Sequence, residues 1–209
     1  MSASKRTHIL NEIVTSEGKY VDFLSEIRAH RTALLKRKLI PVADVKLLFA
    51  NIEQIAPMHD HLLVALETEL RVSKLFGRVF MKVAPFLNLY KAYVDNYDVA
   101  VKRLATLQQS KRKFAAYLDK ATRESPLGLT LGSLLVMPVQ RVPRYRLLLQ
   151  VAVKSTPPEH DDYYKLVAAL RLVSKAADAI NDSVDLQHSR CQLWAAQKRT
   201  ELSLFLPTR

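Results

Sequence analysis

In the stretch MHDHLL, His59 and His61 flank Asp60, the nearest approach in this chain to a set of metal ligands. Residues two apart on a helix point to different faces, whereas zinc-binding helices set two histidines four apart on one face, so no metal site is expected. In HSRCQLW, His188 precedes Cys191 by three residues and could mimic a base beside its nucleophile. No third group orients that histidine and no glycine-rich loop offers an oxyanion hole, so Cys191 reads as a lone thiol. Glu67 and Glu69 read as solvated surface. The chain contains neither a G-x-x-x-x-G-K-[ST] phosphate loop nor a G-x-G-x-x-G turn after a strand. Bond-making catalysis, a metal and a cofactor are all unexpected.

The most distinctive spacing belongs to residues that would bind rather than react. VMPVQRVPRYRLLLQ, Val136 to Gln150, holds two prolines and three arginines. On a helix Gln140 and Arg144 share a face, and Arg141 and Tyr145 form a second pair about a quarter turn away. Between Ser133 and Lys154 the charged residues are Arg141, Arg144, Arg146 and Lys154, a local charge of +4 with no acid. Such a surface suits a partner with acidic or carbonyl-rich loops. Gln140 and Arg141 equally fit a role inside the fold, bonding backbone that the prolines leave free. Pro138 and Pro143 would each oppose a helix by about 3 kcal/mol. Leu131, Leu134 and Leu135 before them, and Tyr145, Leu148, Leu149 and Ala152 after them, keep the spacing of a buried helical face. The expectation is one bent helix over 133–154.

The scaffold that positions these residues is expected to be all-α. The 209 residues, 49% hydrophobic and 25% charged, suffice for one large domain with a real core. There are four glycines and no Asn-Gly pair, so hairpin turns lack their usual residues. Cys191 is the single cysteine, MSASKRTHIL carries no signal-peptide core, and no segment approaches the ~20 apolar residues of a membrane span. An intracellular, cytoplasmic protein is expected. A net charge of +12 favours an acidic partner, whether nucleic acid, anionic lipid or an acidic protein face, although solvated lysines also serve solubility.

Apolar periodicity lays out the helices. Ile9, Ile13, Tyr20, Leu24, Ile27 and Leu34 place one long helix over about 5–38, and Pro41 would begin a second running to about Leu70. Further stretches follow at 75–87, 90–107 and 114–118, with Lys111, Arg112 and Lys113 marking a solvated junction. Thr122 to Gly132 is the clearest loop. Thr156, Pro157 and Pro158 end the bent helix, and Asp161 or Asp162 would cap a last helix from about Tyr163 that reaches toward Lys198. No repeat or long linker divides the chain, so one elongated helical bundle accounts for it.

Four blocks carry a family resemblance: NEIVTSEGKYVDFL (Asn11 to Leu24), LLFANIEQI (Leu47 to Ile55), VAPFLNLYKAYVDNYDVA (Val83 to Ala100) and LLVMPVQRVPRYRLLLQ. Together they resemble the Dbl-homology domain of guanine nucleotide exchange factors for Rho-type GTPases. The resemblance implies an elongated bundle with long first and last helices, a domain over 1–200, and a tail at 201–209 that would join a pleckstrin-homology domain. It implies that Glu12 holds the first switch of the GTPase and that Gln140, Arg141 and Arg144 belong to the gripping face. Asn181, in DAINDSV, matches the polar residue that contacts the second switch. Val136 would lie near the part of the GTPase that distinguishes Rho from Rac types, and Leu24 matches a position that needs an apolar side chain. Met137 and Arg146 depart from the family's commoner lysine and proline.

By that resemblance the partner is a Rho-family small GTPase of Rho or Rac type, bound without bond chemistry so that Mg²⁺ and GDP leave and GTP enters. Recruitment to the plasma membrane or cytoskeleton, with peripheral contact to anionic lipid, would accompany it. The alternative is a basic helical module that coats a membrane or acts as a scaffold without exchange, which would need its charge along one long face. Nucleic acid is not an expected partner, since Tyr20, Tyr90 and Tyr97 fall in apolar stripes rather than among the basic residues.

Overall fold

A 36-residue stripe of buried apolar positions builds α1 (Ser2–Arg37) in the computed structural model, which describes residues 2–181. At 1.5 Å per residue α1 is about 54 Å long and forms the spine of the bundle. Ile9, Ile13, Tyr20, Leu24, Ile27 and Leu34 are all buried along it. After α1 come α2 (Val42–Phe49), α3 (Ile52–Val72), α4 (Phe76–Val83) and a 3-10 segment (Ala84–Asn88). The chain continues through α5 (Leu89–Ser110), α6 (Arg112–Glu124), α7 (Leu131–Leu135), α8 (Met137–Lys154) and α9 (163–181). The described residues contain no strand. α1 packs on α2, α3, α7 and α8, while α5 crosses to α2, α6, α7 and α8. The extension of α9 toward Lys198, the tail at 201–209, and Cys191 with His188 lie outside the described residues.

Two expected helices are each two. The chain from Pro41 breaks after α2, where Ala50 takes φ 42°. Side-chain amides tie the break to α5: Asn96 donates to the Leu47 carbonyl at 2.6 Å, and Asn51, in the break itself, donates to that of Leu89 at 2.9 Å. The 133–154 segment breaks at Val136, between α7 and α8, so Pro138 falls in the first turn of α8, where no backbone donor is needed. Only Pro143 is interior. The Leu135 carbonyl at the break accepts a hydrogen bond from the Tyr93 hydroxyl at 3.0 Å. Thr130 caps α7, its Oγ1 accepting from the Ser133 N–H at 3.1 Å.

Asp162 differs from its expected role as well. Its carbonyl begins α9, but its buried carboxylate caps α4, accepting from the N–H groups of Phe76 at 2.9 Å and Gly77 at 3.0 Å. Arg6 closes the corner by pairing with Asp162 at 3.3 Å and donating to the Lys74 carbonyl at 2.5 Å. Here α4 and α9 touch through backbone: a Cβ on Gly77 would stand 2.5 Å from the Lys165 carbonyl carbon. Gly77→Ala is expected to lower stability by about 1–3 kcal/mol through overpacking. Gly18→Ala, mid-helix in α1 with nothing within 4 Å of the new methyl, is expected to raise it by about 0.5–1 kcal/mol. Urea denaturation of the two variants beside the native chain tests both signs.

Candidate functional site

Beneath the seam between α1 and α8 lies a group of buried polar side chains. Glu17, on the apolar stripe of α1 between Ile13 and Tyr20, is fully buried, as is His59 of α3. The Glu17 carboxylate pairs with the guanidinium of Arg141 and accepts the Tyr145 hydroxyl at 2.5 Å. His59 Nδ1 lies 2.7 Å from the other carboxylate oxygen, and Nε2 lies 2.6 Å from the Tyr90 hydroxyl, which itself lies 2.8 Å from that of Tyr20. A carboxylate only accepts, so Nδ1 of His59 donates to Glu17. The Arg141 guanidinium stands 4.8 Å and 4.4 Å from the ring centres of Tyr20 and Tyr145.

The group's electrostatics follow from its burial. Burial pushes the Glu17 carboxyl up, but the His59 bond, the Arg141 charge and the Tyr145 bond together outweigh it and hold the group below its ordinary value. Burial pushes the Tyr20, Tyr90 and Tyr145 hydroxyls well above the usual phenol range, so they remain donors.

A quarter turn outward, the same helices present different residues to solvent. Glu12, His8, Asn11, Thr15 and Lys19 of α1 and Arg144 of α8 line a hollow of about 300 Å³. Gln140, Met137 and Phe23 join Lys19 and Arg144 around an adjoining one of about 210 Å³, whose floor includes Tyr20 and Arg141. Glu12, Gln140 and Arg144 are exposed. Among the described residues neither Glu12 nor Arg144 makes an ion pair. Opposite charges thus face one groove without neutralising each other.

The remaining sequence-derived positions divide. Arg141 is 3% exposed and spent on Glu17, so the structure corrects its expected place on a gripping face: it belongs to the interior. Val136 is half-buried in the α7–α8 turn and lines neither hollow. Asn181 is exposed on α9, one turn beyond Asp178, whose carboxylate binds Arg146 of α8 at 2.8 Å. His59 and His61 do point apart, one buried and one exposed, and no metal-binding group occurs among the described residues. Sequence reasoning missed Glu17 and His59 as a pair. The available signal was a glutamate placed at core spacing on α1.

A family model described as the RhoGEF domain matches residues 9–181, a span that holds both hollows apart from His8, as well as Asn181. Guanine exchange factor for Rac 30 of Dictyostelium discoideum is 30% identical over 184 residues, 85% of this chain and 11% of that protein. Rho guanine nucleotide exchange factor 10 of Mus musculus is 32% identical over 199 residues, 90% of this chain and 15% of that protein. The chain therefore spans only about a tenth to a sixth of these relatives' lengths. A solved structure of Vav1 with an allosteric inhibitor has TM-score 0.87 at 28% identity, covering 94% of this chain and 51% of that one. The PDZ-RhoGEF DH/PH domains in complex with GTP-gamma-S activated RhoA give 0.85 at 19% identity, covering 95% and 59%, a likeness of fold.

Glu17→Gln is expected to cost about 3–5 kcal/mol at neutral pH, because it leaves the Arg141 guanidinium buried without its counter-charge. The Glu17 carboxyl is held below its ordinary 4.5, so its contribution is present above that pH and is lost as the pH falls below it. The gap between native and variant stability, followed by urea denaturation from neutral pH downward, should narrow below 4.5.

Proposed function

The chain belongs to the RhoGEF, or Dbl-homology, domain family, and from that premise we propose that its α1–α8 groove and the adjoining end of α9 grip a Rho-family small GTPase and catalyse exchange of its guanine nucleotide. The observation that carries the assignment is the pair Glu12 and Arg144, exposed, unpaired and facing one groove over a rigid buried support. A GTPase that holds nucleotide at nanomolar to picomolar Kd has about 12–16 kcal/mol of binding to be overcome. Preferential binding of the nucleotide-free form supplies that free energy without any covalent step.

In this reading Glu12 draws the first switch away from the nucleotide, while Gln140, Arg144 and Asn181 reshape the second and disturb the GTPase's Mg²⁺ and phosphate site. Nucleotide leaves and GTP, in excess, replaces it. The bound face should bury roughly 2,000 Å² or more, with a few residues carrying most of the energy. Residues 1–200 would form the exchange domain and 201–209 would lead to a pleckstrin-homology domain, with the protein working in the cytoplasm and recruited to the plasma membrane or cytoskeleton.

Release of a fluorescent GDP analogue from Rho and Rac GTPases provides the test. Acceleration by the native chain is expected, with a loss on the order of 30-fold or more in Glu12→Ala and in Asn181→Ala if these are hot spots. Arg144→Ala should lose activity while keeping the native urea midpoint, because Arg144 supports no described contact inside the bundle. Unchanged exchange in all three, or no acceleration on any GTPase by a chain that unfolds cooperatively, would reject the assignment.

A further inference from the structure

The chain contains the tripeptide Lys-Arg-Lys twice, at 36–38 and at 111–113. The first ends α1 and the second begins α6, and the fold brings both to one end of the bundle. Asn96 bonds Leu47, and Arg103 takes the Asp44 carboxylate with two hydrogen bonds of 2.8 and 2.9 Å, so α2 and α5 run antiparallel. That register carries the α1–α2 turn and the α5–α6 turn to the same tip. A second tie links α1 to α6: the Arg37 guanidinium sits 5.2 Å from the centre of the Tyr117 ring, and the Tyr117 hydroxyl meets His30 at 3.1 Å. The Arg103 bond, with the charges of Arg103 and Lys111, holds the Asp44 carboxyl below its ordinary range, which also sets Lys111 beside α2.

Residues 36–46 hold four basic side chains and one acid, and 102–113 hold five basic side chains and none. Two short segments thereby carry a net +8 of the chain's +12, while the rest of the sequence, with 23 basic and 19 acidic residues, is near balance. The one acid, Asp44, is neutralised by Arg103. Lys36, Arg37, Lys38, Lys46, Lys102, Lys111, Arg112 and Lys113 are all exposed. The helices that begin at this end, α2 and α6, have no capping side chain, so their first N–H groups add positive potential. Amid the charge Val42, at the start of α2, is 57% exposed.

We propose that this tip is a docking surface for an anionic membrane, its Lys-Arg-Lys pair and neighbouring lysines seated on phosphate-bearing lipid headgroups with Val42 at the interface. The charge is gathered at an end of the rod rather than along a face. Long, separately hydrated lysines on a convex end suit a diffuse sheet of negative charge. A nucleic-acid surface would place exposed aromatics among the basic residues, whereas the aromatic here, Tyr117, is partly buried and already engaged by Arg37 and His30. A protein interface would need an apolar centre broader than Val42 alone. Lys36 stands 24 residues from Glu12 on one continuous helix, about 36 Å, so the tip can hold a membrane while the groove is occupied.

Co-sedimentation of the chain with vesicles of phosphatidylcholine alone, with phosphatidylserine added, and with a phosphoinositide added tests the proposal. Binding is expected only with anionic lipid and is expected to fade as salt rises above about 0.1 M. Lys36→Ala, Lys46→Ala, Lys111→Ala and Lys113→Ala together should weaken it by roughly 600-fold, at roughly fivefold for each charge. Removing four exposed charges elsewhere, Arg71, Lys82, Lys154 and Arg171, should weaken it far less. GDP release without vesicles should be unchanged by the tip substitutions, so membrane binding and exchange are read separately. Absence of binding to anionic vesicles, equal losses in the two quadruple variants, or tighter binding of a single-stranded oligonucleotide than of vesicles would each overturn the proposal. Displacement from vesicles by millimolar free inositol phosphate, with binding insensitive to phosphatidylserine, would assign the tip to a soluble phosphate ligand instead and likewise overturn it.

Discussion

Everything the groove presents depends on one carboxylate and one guanidinium placed where water cannot reach them. Glu17 comes from α1 and Arg141 from α8, 124 residues apart in sequence, and each would be strongly unfavourable in the core without the other. Their pairing fixes more than a distance. Because His59 and Tyr145 also donate to Glu17, the rotation of α1 relative to α3 and α8 is fixed by donors from both helices. A small turn of α1 would leave a buried charge short of donors, a far steeper penalty than sliding one aliphatic side chain past another.

That constraint turns an interior arrangement into an exterior one. Successive helical residues are 100° apart, so with Arg141 directed inward its neighbours Gln140 and Arg144 share the adjacent outward face. On α1 the same logic turns Glu12 and Lys19 outward once Ile13, Glu17 and Tyr20 face the core. The two exposed faces meet as the walls of one groove. The surface charges stay unpaired because the interior pair, and not a bond between Glu12 and Arg144, holds the helices together.

The helical architecture was legible because apolar spacing is a local signal, and Ile9 through Leu34 declare α1 without outside help. What escaped the sequence reading was decided by partners far along the chain. The breaks at Ala50 and Val136 are stabilised by bonds to Asn96, the Leu89 carbonyl and Tyr93, each far along the chain from the break it serves. Asp162 stands where a cap for its own helix would stand, yet its carboxylate serves α4 because Gly77 lets the two helices meet. Glu17 lies on the core stripe, and a lone glutamate there reads as surface until its arginine is known. Arg141 and Arg144 are the same residue type in one motif, and spacing told that they differ in direction but not which of them faces in.

The prolines of that motif now have a physical role. Had α7 and α8 been one helix, Pro138 would have stood in its interior and cost about 3 kcal/mol. With the break at Val136 it begins α8, and the Leu135 carbonyl, which would otherwise lose its helical partner, is taken by Tyr93 of α5. The break therefore ties the start of α8 to α5 while Arg141, one turn later, ties it to α1. A helix anchored at its first turn and again at its second has little freedom to roll, and Gln140 and Arg144 leave the surface in a direction set by those two anchors. Rigidity of this kind is what differential binding requires, since a face that adapts to every state of a partner would favour none of them.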